Sequence, residues 1–127
     1  MNHRDALVEC VPNFSEGRDQ VTIDAIAAAI SGVEGAHLLD VDPGRSTHRT
    51  VMTFVGSPAA VTEAAFRAIA AAAERIDMRR HQGAHPRMGA TDVCPLVPIS
   101  GIGMAETAEL ARGLAERVGR DLGIPVY

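Results

Sequence analysis

THRTVMTFV, residues 47–55, is the stretch that decides the fold, because its side chains alternate between two sides of an extended chain. Met52 and Phe54 fall on one side, and the valines and threonine between and beside them fall on the other. A period of two is typical of a strand with one face on a hydrophobic core. PGRS, residues 43–46, supplies turn residues that connect this strand to AHLLDVD, residues 36–42. The two runs therefore predict an antiparallel pair.

Helical patterns lie on both sides of this pair. Asp19 is a predicted N-cap for a helix whose apolar residues recur at helical spacing: Ile23, Ile26, Ala27, Ile30 and Val33. Ser57 followed by Pro58 is the N-cap and first-turn combination that starts a second helix, which is predicted to end near residue 78. A third amphipathic helix is predicted over about 104–121.

Two further strands complete the predicted sheet. One lies in residues 7–14 and ends near Pro12, and the other lies within residues 90–99, where two prolines favour an edge position or an irregular end. IPVY, residues 124–127, resembles a last short strand. The order is then β-α-β-β-α-β-α-β. It predicts an α+β fold of the ferredoxin-like split βαβ type: a βαββαβ core plus an extra αβ, with a mostly antiparallel sheet and helices on one face.

Composition narrows the class of protein. The 127 residues suit a single domain, and 46 % are apolar, which is ordinary for a folded protein. No apolar run reaches the ~18 residues that span a bilayer, and the N-terminus resembles no secretory signal, so we expect a cytoplasmic protein without a membrane partner. The net charge of −4 argues against nucleic-acid binding. The two cysteines, Cys10 and Cys94, are expected to be buried free thiols.

HQGAHPRMGA, residues 81–90, concentrates polar and conformationally special residues. His81 and His85 have the spacing of two metal ligands on a helix, but Gly83 and Pro86 make a helix improbable, and we expect no metal. One alternative is that the histidines cap the preceding helix. The other is a catalytic loop in which His85 and Arg87 project into a cleft, because histidine titrates near neutral pH and suits general base catalysis.

Two other segments carry candidate site residues. DVDPGRSTHRT, residues 40–50, contains carboxylates and arginines that either form a solvated hairpin or orient a histidine and bind a substrate carboxylate. In PNFSEG, residues 12–17, Asn13 either contacts a ligand through its amide or braces the loop. The sequence leaves open whether these two segments and the decapeptide meet.

Three long stretches resemble the N-terminal subdomain of the glutamate formiminotransferase family. They are VECVPNFSEGRD, LLDVDPGRSTHRTVMTFVG and IDMRRHQGAHPRMGATDVCPLVPISG, and the likeness covers about residues 8–127. The resemblance implies a transferase of one-carbon metabolism and histidine degradation. That enzyme moves a formimino group from N-formimino-L-glutamate to tetrahydrofolate, which is the acceptor co-substrate. It further implies a folate groove between two α/β subdomains.

The resemblance implies that His85, which precedes Pro-Arg-Met-Gly, is the catalytic histidine, and that Asp42 lies near the site. From the chemistry, Asp42 is a catalytic candidate that stabilises the cationic amidinium of the substrate or holds the imidazole. Arg87, Arg49 and Asn13 are substrate-binding candidates. His81 is left with a supporting role.

The chain ends where the second, folate-groove subdomain of the family is expected to begin. We therefore expect residues 1–127 to be one domain, the half that carries the catalytic histidine. Its partner would be a separate C-terminal subdomain or further copies of the chain in a homo-oligomer. The alternative is a stand-alone, non-catalytic binding module with the same fold.

Overall fold

The computed structural model describes residues 6–76 and 89–126. The described residues form these elements, in chain order: β1 (Leu7–Cys10), β2 (Asn13–Phe14), α1 (Gln20–Ser31), β3 (Ala36–Gly44), β4 (Arg49–Gly56), α2 (Pro58–Arg75), β5 (Thr91–Val93), β6 (Leu96–Ser100) and α3 (Met104–Leu122).

The first two helices begin where the sequence predicts, because each predicted N-cap side chain binds a free backbone N–H of the first turn. The carboxylate of Asp19 accepts from the N–H of Val21, and the hydroxyl of Ser57 accepts from the N–H of Ala60. The second helix ends at Arg75, slightly earlier than the predicted position.

The sheet has the order of a split βαβ fold, so the predicted fold class is confirmed. β4 is central: it pairs antiparallel with β3 on one side and with β1 and β2, end to end, on the other. β6 and β5 lie outside β1 and β2. The strand predicted to end near Pro12 ends at Cys10, and Asn13–Phe14 form a separate short strand after Val11 and Pro12. Residues 90–99 contain parts of two strands, separated by Cys94 and Pro95, where one strand was predicted. Proline has no N–H to give to a strand pair, which explains both breaks.

One face of this sheet forms the core with the three helices. The fully buried apolar strand residues all belong to one alternation: Val8, Cys10, Phe14, Met52 and Phe54. They pack against α1, α2 and α3 through a cluster rich in isoleucine and alanine. Small alanines on α2 allow that helix to lie close to the sheet. The opposite alternation forms a second face, hereafter the open face, against which none of the described helices packs.

The predicted last strand is wrong for residues 123–126, which have no strand partner. Gly123 ends α3 in the left-handed conformation, with φ of 67°, and Pro125 cannot donate to a strand pair. Ile124 instead packs against the core cluster.

No helix within the described ranges is long and apolar enough to span a membrane.

Candidate functional site

The loop after β2 lies directly against the turn between β3 and β4. The N–H of Gly17 donates to Nδ1 of His48 at 3.0 Å, and Nε of Arg18 donates to the carbonyl of Arg45 at 2.9 Å. The hydroxyl of Thr50 donates to the carbonyl of Glu16. Two of the three segments that the sequence singled out are therefore joined by hydrogen bonds between residues far apart in the chain.

Gly17 is required for this contact. A Cβ atom at this position would lie 2.3 Å from the carbonyl oxygen of Gly44 and 2.6 Å from the backbone nitrogen of Arg49. No side chain fits into that space without moving backbone atoms. The close approach of the two loops therefore depends on a residue without a side chain.

His48 and Glu16 organise the same contact. His48 has a φ of 55°, an unusual conformation for a residue other than glycine. Its Nδ1 accepts the Gly17 N–H, so the proton of the neutral ring is on Nε2. The Glu16 carboxylate lies 3.4 Å from Nδ1 and also accepts from the N–H groups of Arg18 and Asp19. Hydrogen bonds of the two loops thus hold the strained backbone conformation of His48. Strained backbone conformations are common at functional sites.

Arg49 connects three strands through one amino group. Its Nη2 donates to Oδ1 of Asn13 and to Oδ2 of Asp92, both at 2.9 Å. The side chains of Arg49 and Asp92 are 14 % and 11 % exposed, so this ion pair is largely withdrawn from water. Asn13 also donates through Nδ2 to the carbonyl of Val11 at 3.4 Å. We call Asn13, Arg49 and Asp92 the arginine cluster. The predicted residues Asn13 and Arg49 are brought together, with contacts that brace the site.

Asp42 lies on the open face near this cluster. In the strand register Asp42 is opposite Val51 of β4, and Val51 is opposite Asn13 of β2, so the three residues form one row across the sheet. With strands about 4.8 Å apart, Asp42 and Asn13 are roughly 10 Å apart along this row. Asp42 is exposed. The sheet thus presents a solvated carboxylate beside a neutralised arginine cluster.

The end of the third segment also reaches this region. Ser15 donates through its hydroxyl to the carbonyl of Gly89 at 2.7 Å and through its N–H to the carbonyl of Ala90 at 2.8 Å. These are the last two residues of the decapeptide HQGAHPRMGA. The predicted site residues His81, His85 and Arg87 lie outside the described residues.

The site region contains residues whose importance the sequence did not indicate. Asp92 and His48 are not among the site residues that the sequence predicts. Both are identified only by contacts with residues 31 to 43 positions away, which no local pattern encodes.

Among residues 6–76 and 89–126, no group of three or more histidine, cysteine, aspartate or glutamate side chains is arranged to hold a metal ion.

Comparisons with a family model and with known proteins point to the same family. Residues 7–127 match the family model described as the formiminotransferase domain, N-terminal subdomain. The chain is similar to formimidoyltransferase-cyclodeaminase of Rattus norvegicus, with 55 % identity over 95 % of the chain and 22 % of the relative.

Shorter relatives are also similar. Glutamate formimidoyltransferase of Streptococcus pyogenes serotype M1 is 49 % identical over 95 % of the chain and 40 % of the relative. The enzyme of the same name from Thermoplasma acidophilum is 51 % identical over 96 % of the chain and 40 % of the relative. The chain therefore spans between 22 % and 40 % of the length of these relatives.

Proposed function

Because the chain belongs to the formiminotransferase family, through its N-terminal subdomain, we propose that it supplies half of the active site of a glutamate formimidoyltransferase. The reaction moves a formimino group from N-formimino-L-glutamate to tetrahydrofolate. The observation that carries the proposal, beyond the family match, is the convergence of all three candidate segments. The loop after β2, the β3–β4 turn and the end of the decapeptide meet around Ser15 and Gly17.

We assign proton transfer to His85. It is four residues before Gly89 in the sequence. Gly89 is itself bonded to Ser15 in the loop after β2. As base, His85 would take the proton that leaves N5 of the folate. As acid, it would return a proton to the departing glutamate nitrogen.

Asp42 is the group that we assign to charge stabilisation. The formimino group is basic and becomes a cationic amidinium when protonated, so a nearby carboxylate stabilises it. Asp42 is exposed and projects from the same face as the arginine cluster. Asp92 cannot serve in the same way, because Arg49 already binds its carboxylate.

Binding of the glutamate carboxylates is assigned to Arg87 first. Arg49 was an equal candidate from sequence, but its pair with Asp92 neutralises its charge and weakens its attraction for a further anion. We propose that Arg49 acts mainly by fixing the amide of Asn13, whose orientation decides which atom it offers to a ligand. His81 is assigned a supporting role in the same loop.

A second subdomain is proposed to complete the site by covering the open face. Apolar side chains are exposed on this face: Leu7, Val93 and Val97 are 42 %, 49 % and 39 % exposed. Such a face beside a polar cluster suits a groove between two domains. Tetrahydrofolate would bind in that groove. The greater length of the relatives provides room for such a domain.

The proposal is tested by exchanging this chain for the matching segment of the Streptococcus pyogenes enzyme and measuring formimino transfer. We expect an active chimera, and His85→Ala is expected to lower its kcat by roughly two to four orders of magnitude. Arg112→Ala, at an exposed position of α3 on the other side of the sheet from the open face, is the control and should leave the rate unchanged. Asp42→Asn is compared with Asp40→Asn, its exposed neighbour on the same strand.

The alternative function, a non-catalytic binding module, predicts a different pattern. Under this alternative the chimera folds, but transfer is absent from the chain alone and from the chain mixed with the C-terminal remainder of the Streptococcus pyogenes enzyme. Activity that is restored by the added remainder favours the enzyme. A folded chimera without activity would contradict the proposed function.

A further inference from the structure

The two cysteines of the chain lie in contact across the sheet. Cys10 is on the core side of β1 and is fully buried, whereas Cys94, in the connection between β5 and β6, is partly exposed. Their Sγ atoms are 3.5 Å apart. The backbone holds them there, because the N–H of Val11 donates to the carbonyl of Pro95 at 3.3 Å and Cys10 is paired with Leu96. The proximity is therefore part of the strand pairing.

The environments of the two thiols differ. The two sulfurs share a hydrogen bond in which either thiol can donate. This bond lowers the pKa of Cys94, and together with burial it raises the pKa of Cys10. Cys94 is the sulfur that solvent and reagents reach, because Cys10 is buried and Cys94 is partly exposed. A thiolate is the reactive form of cysteine.

We propose that Cys10 and Cys94 form an oxidisable thiol pair that a hydroperoxide converts reversibly to an intrachain disulfide. The Cys94 thiolate attacks the terminal peroxide oxygen, the O–O bond breaks, and the leaving oxygen takes a proton to become water or an alcohol. The product is the sulfenic acid of Cys94. Cys10 then attacks the Cys94 sulfur, the S–O bond breaks, and the Cys10 proton leaves with hydroxide as water. Two thiols are oxidised and one peroxide is reduced.

The geometry requires little movement for the second step. The sulfurs must approach from 3.5 Å to about 2.05 Å. Cys94 can supply this displacement because it lies between two strands and not within one. The core position of Cys10 excludes reagents from its sulfur, so a Cys10 thiol is reached only through Cys94. This arrangement matches an exposed attacking thiol next to a buried resolving thiol.

The test uses the full chain, first reduced and then treated with hydrogen peroxide. Remaining thiols are alkylated after denaturation, and the intact mass is measured. We expect a monomer that lacks two hydrogens and carries no alkyl group, and we expect a dithiol reductant to restore two alkylatable thiols. Because the chain has only two cysteines, an intrachain disulfide can join only this pair. Disulfide-linked dimers as the main product would overturn the proposal.

Two variants assign the order of the steps. In Cys10→Ser, peroxide is expected to leave Cys94 as a sulfenic acid that a carbon nucleophile such as dimedone traps. In Cys94→Ser, the buried Cys10 is expected to react at least tenfold more slowly than Cys94 does in the wild type. Should serine in the core prevent folding, peptide mapping of the native wild type after brief alkylation gives the same order, Cys94 before Cys10. Modification of Cys10 first contradicts it.

Discussion

Replacing Asp92 by alanine is expected to destabilise the chain by about 3 kcal/mol. Removing one partner of a buried ion pair costs roughly 3–5 kcal/mol, because the other charge stays buried without compensation. Arg49 is 14 % exposed, and Oδ1 of Asn13 remains 2.9 Å from the same Nη2, so the cost falls at the lower end of that range. Asp92→Asn keeps an oxygen acceptor and loses only the charge, and about 1–2 kcal/mol is expected.

A double-mutant cycle separates the interaction from other effects of each change. Urea unfolding gives the free energies of the wild type, Asp92→Ala, Arg49→Met and the double variant. The double variant leaves neither charge alone, so it should be more stable than the sum of the single effects predicts, with a coupling energy of about 2 kcal/mol. In a domain of this size, the loss in Asp92→Ala corresponds to roughly 10 °C in Tm.

The chain provides a matched control in the exposed pair of Glu109 and Arg112. Their side chains are 71 % and 68 % exposed, and a coupling energy below about 0.5 kcal/mol is expected for such a surface pair. If the cycle at Asp92 and Arg49 gave a coupling energy as small as this control, the argument would fail. The arginine cluster would then not be a stabilising framework of the site.

Other predictions concern the loop contact and the response to acid. Gly17→Ala is expected to cost about 3 kcal/mol, because its Cβ would lie 2.3 Å from the carbonyl oxygen of Gly44 and backbone must move. Gly113→Ala, where a Cβ meets no atom within 4 Å, should instead stabilise α3 by about 0.5–1 kcal/mol; equal urea midpoints for the two variants would refute the steric argument. The Arg117 guanidinium lowers the pKa of Glu63, so this pairing stabilises the fold above the ordinary glutamate pKa of about 4.3 and is lost as pH falls through the lowered value. Since the Glu63 side chain is 32 % exposed, Glu63→Gln should cost at most about 1 kcal/mol at pH 7, and a deficit that persists unchanged to about pH 3 would count against it.

The sequence predicted most of the secondary structure because its signals are local. N-caps at Asp19 and Ser57 and the alternation through Met52 and Phe54 each act within a few residues, and each is confirmed. The errors have local causes as well. Pro95 separates two strands where one was predicted, and Gly123 with Pro125 prevents the expected final strand over the described residues.

The site was predicted less completely. The sequence and the family resemblance named Asn13, Asp42 and Arg49, and the structure places all three on one face of the sheet. The sequence did not indicate that Asp92, 43 residues later, neutralises the charge of Arg49. Which acceptor an arginine finds depends on strand register, and register is decided by pairing between distant segments.

What the sequence by itself determined is the order of the elements, the face that each presents to the core, and the family to which the chain belongs. These follow from side-chain periodicity, capping and extended motifs, all of which act along the chain. Only the tertiary structure decided that three separate segments meet at Ser15 and Gly17 and that Cys10 touches Cys94, 84 residues away. Such contacts form when antiparallel strands align in one register, and the free energy of that alignment comes from the shared core, which no single segment contains.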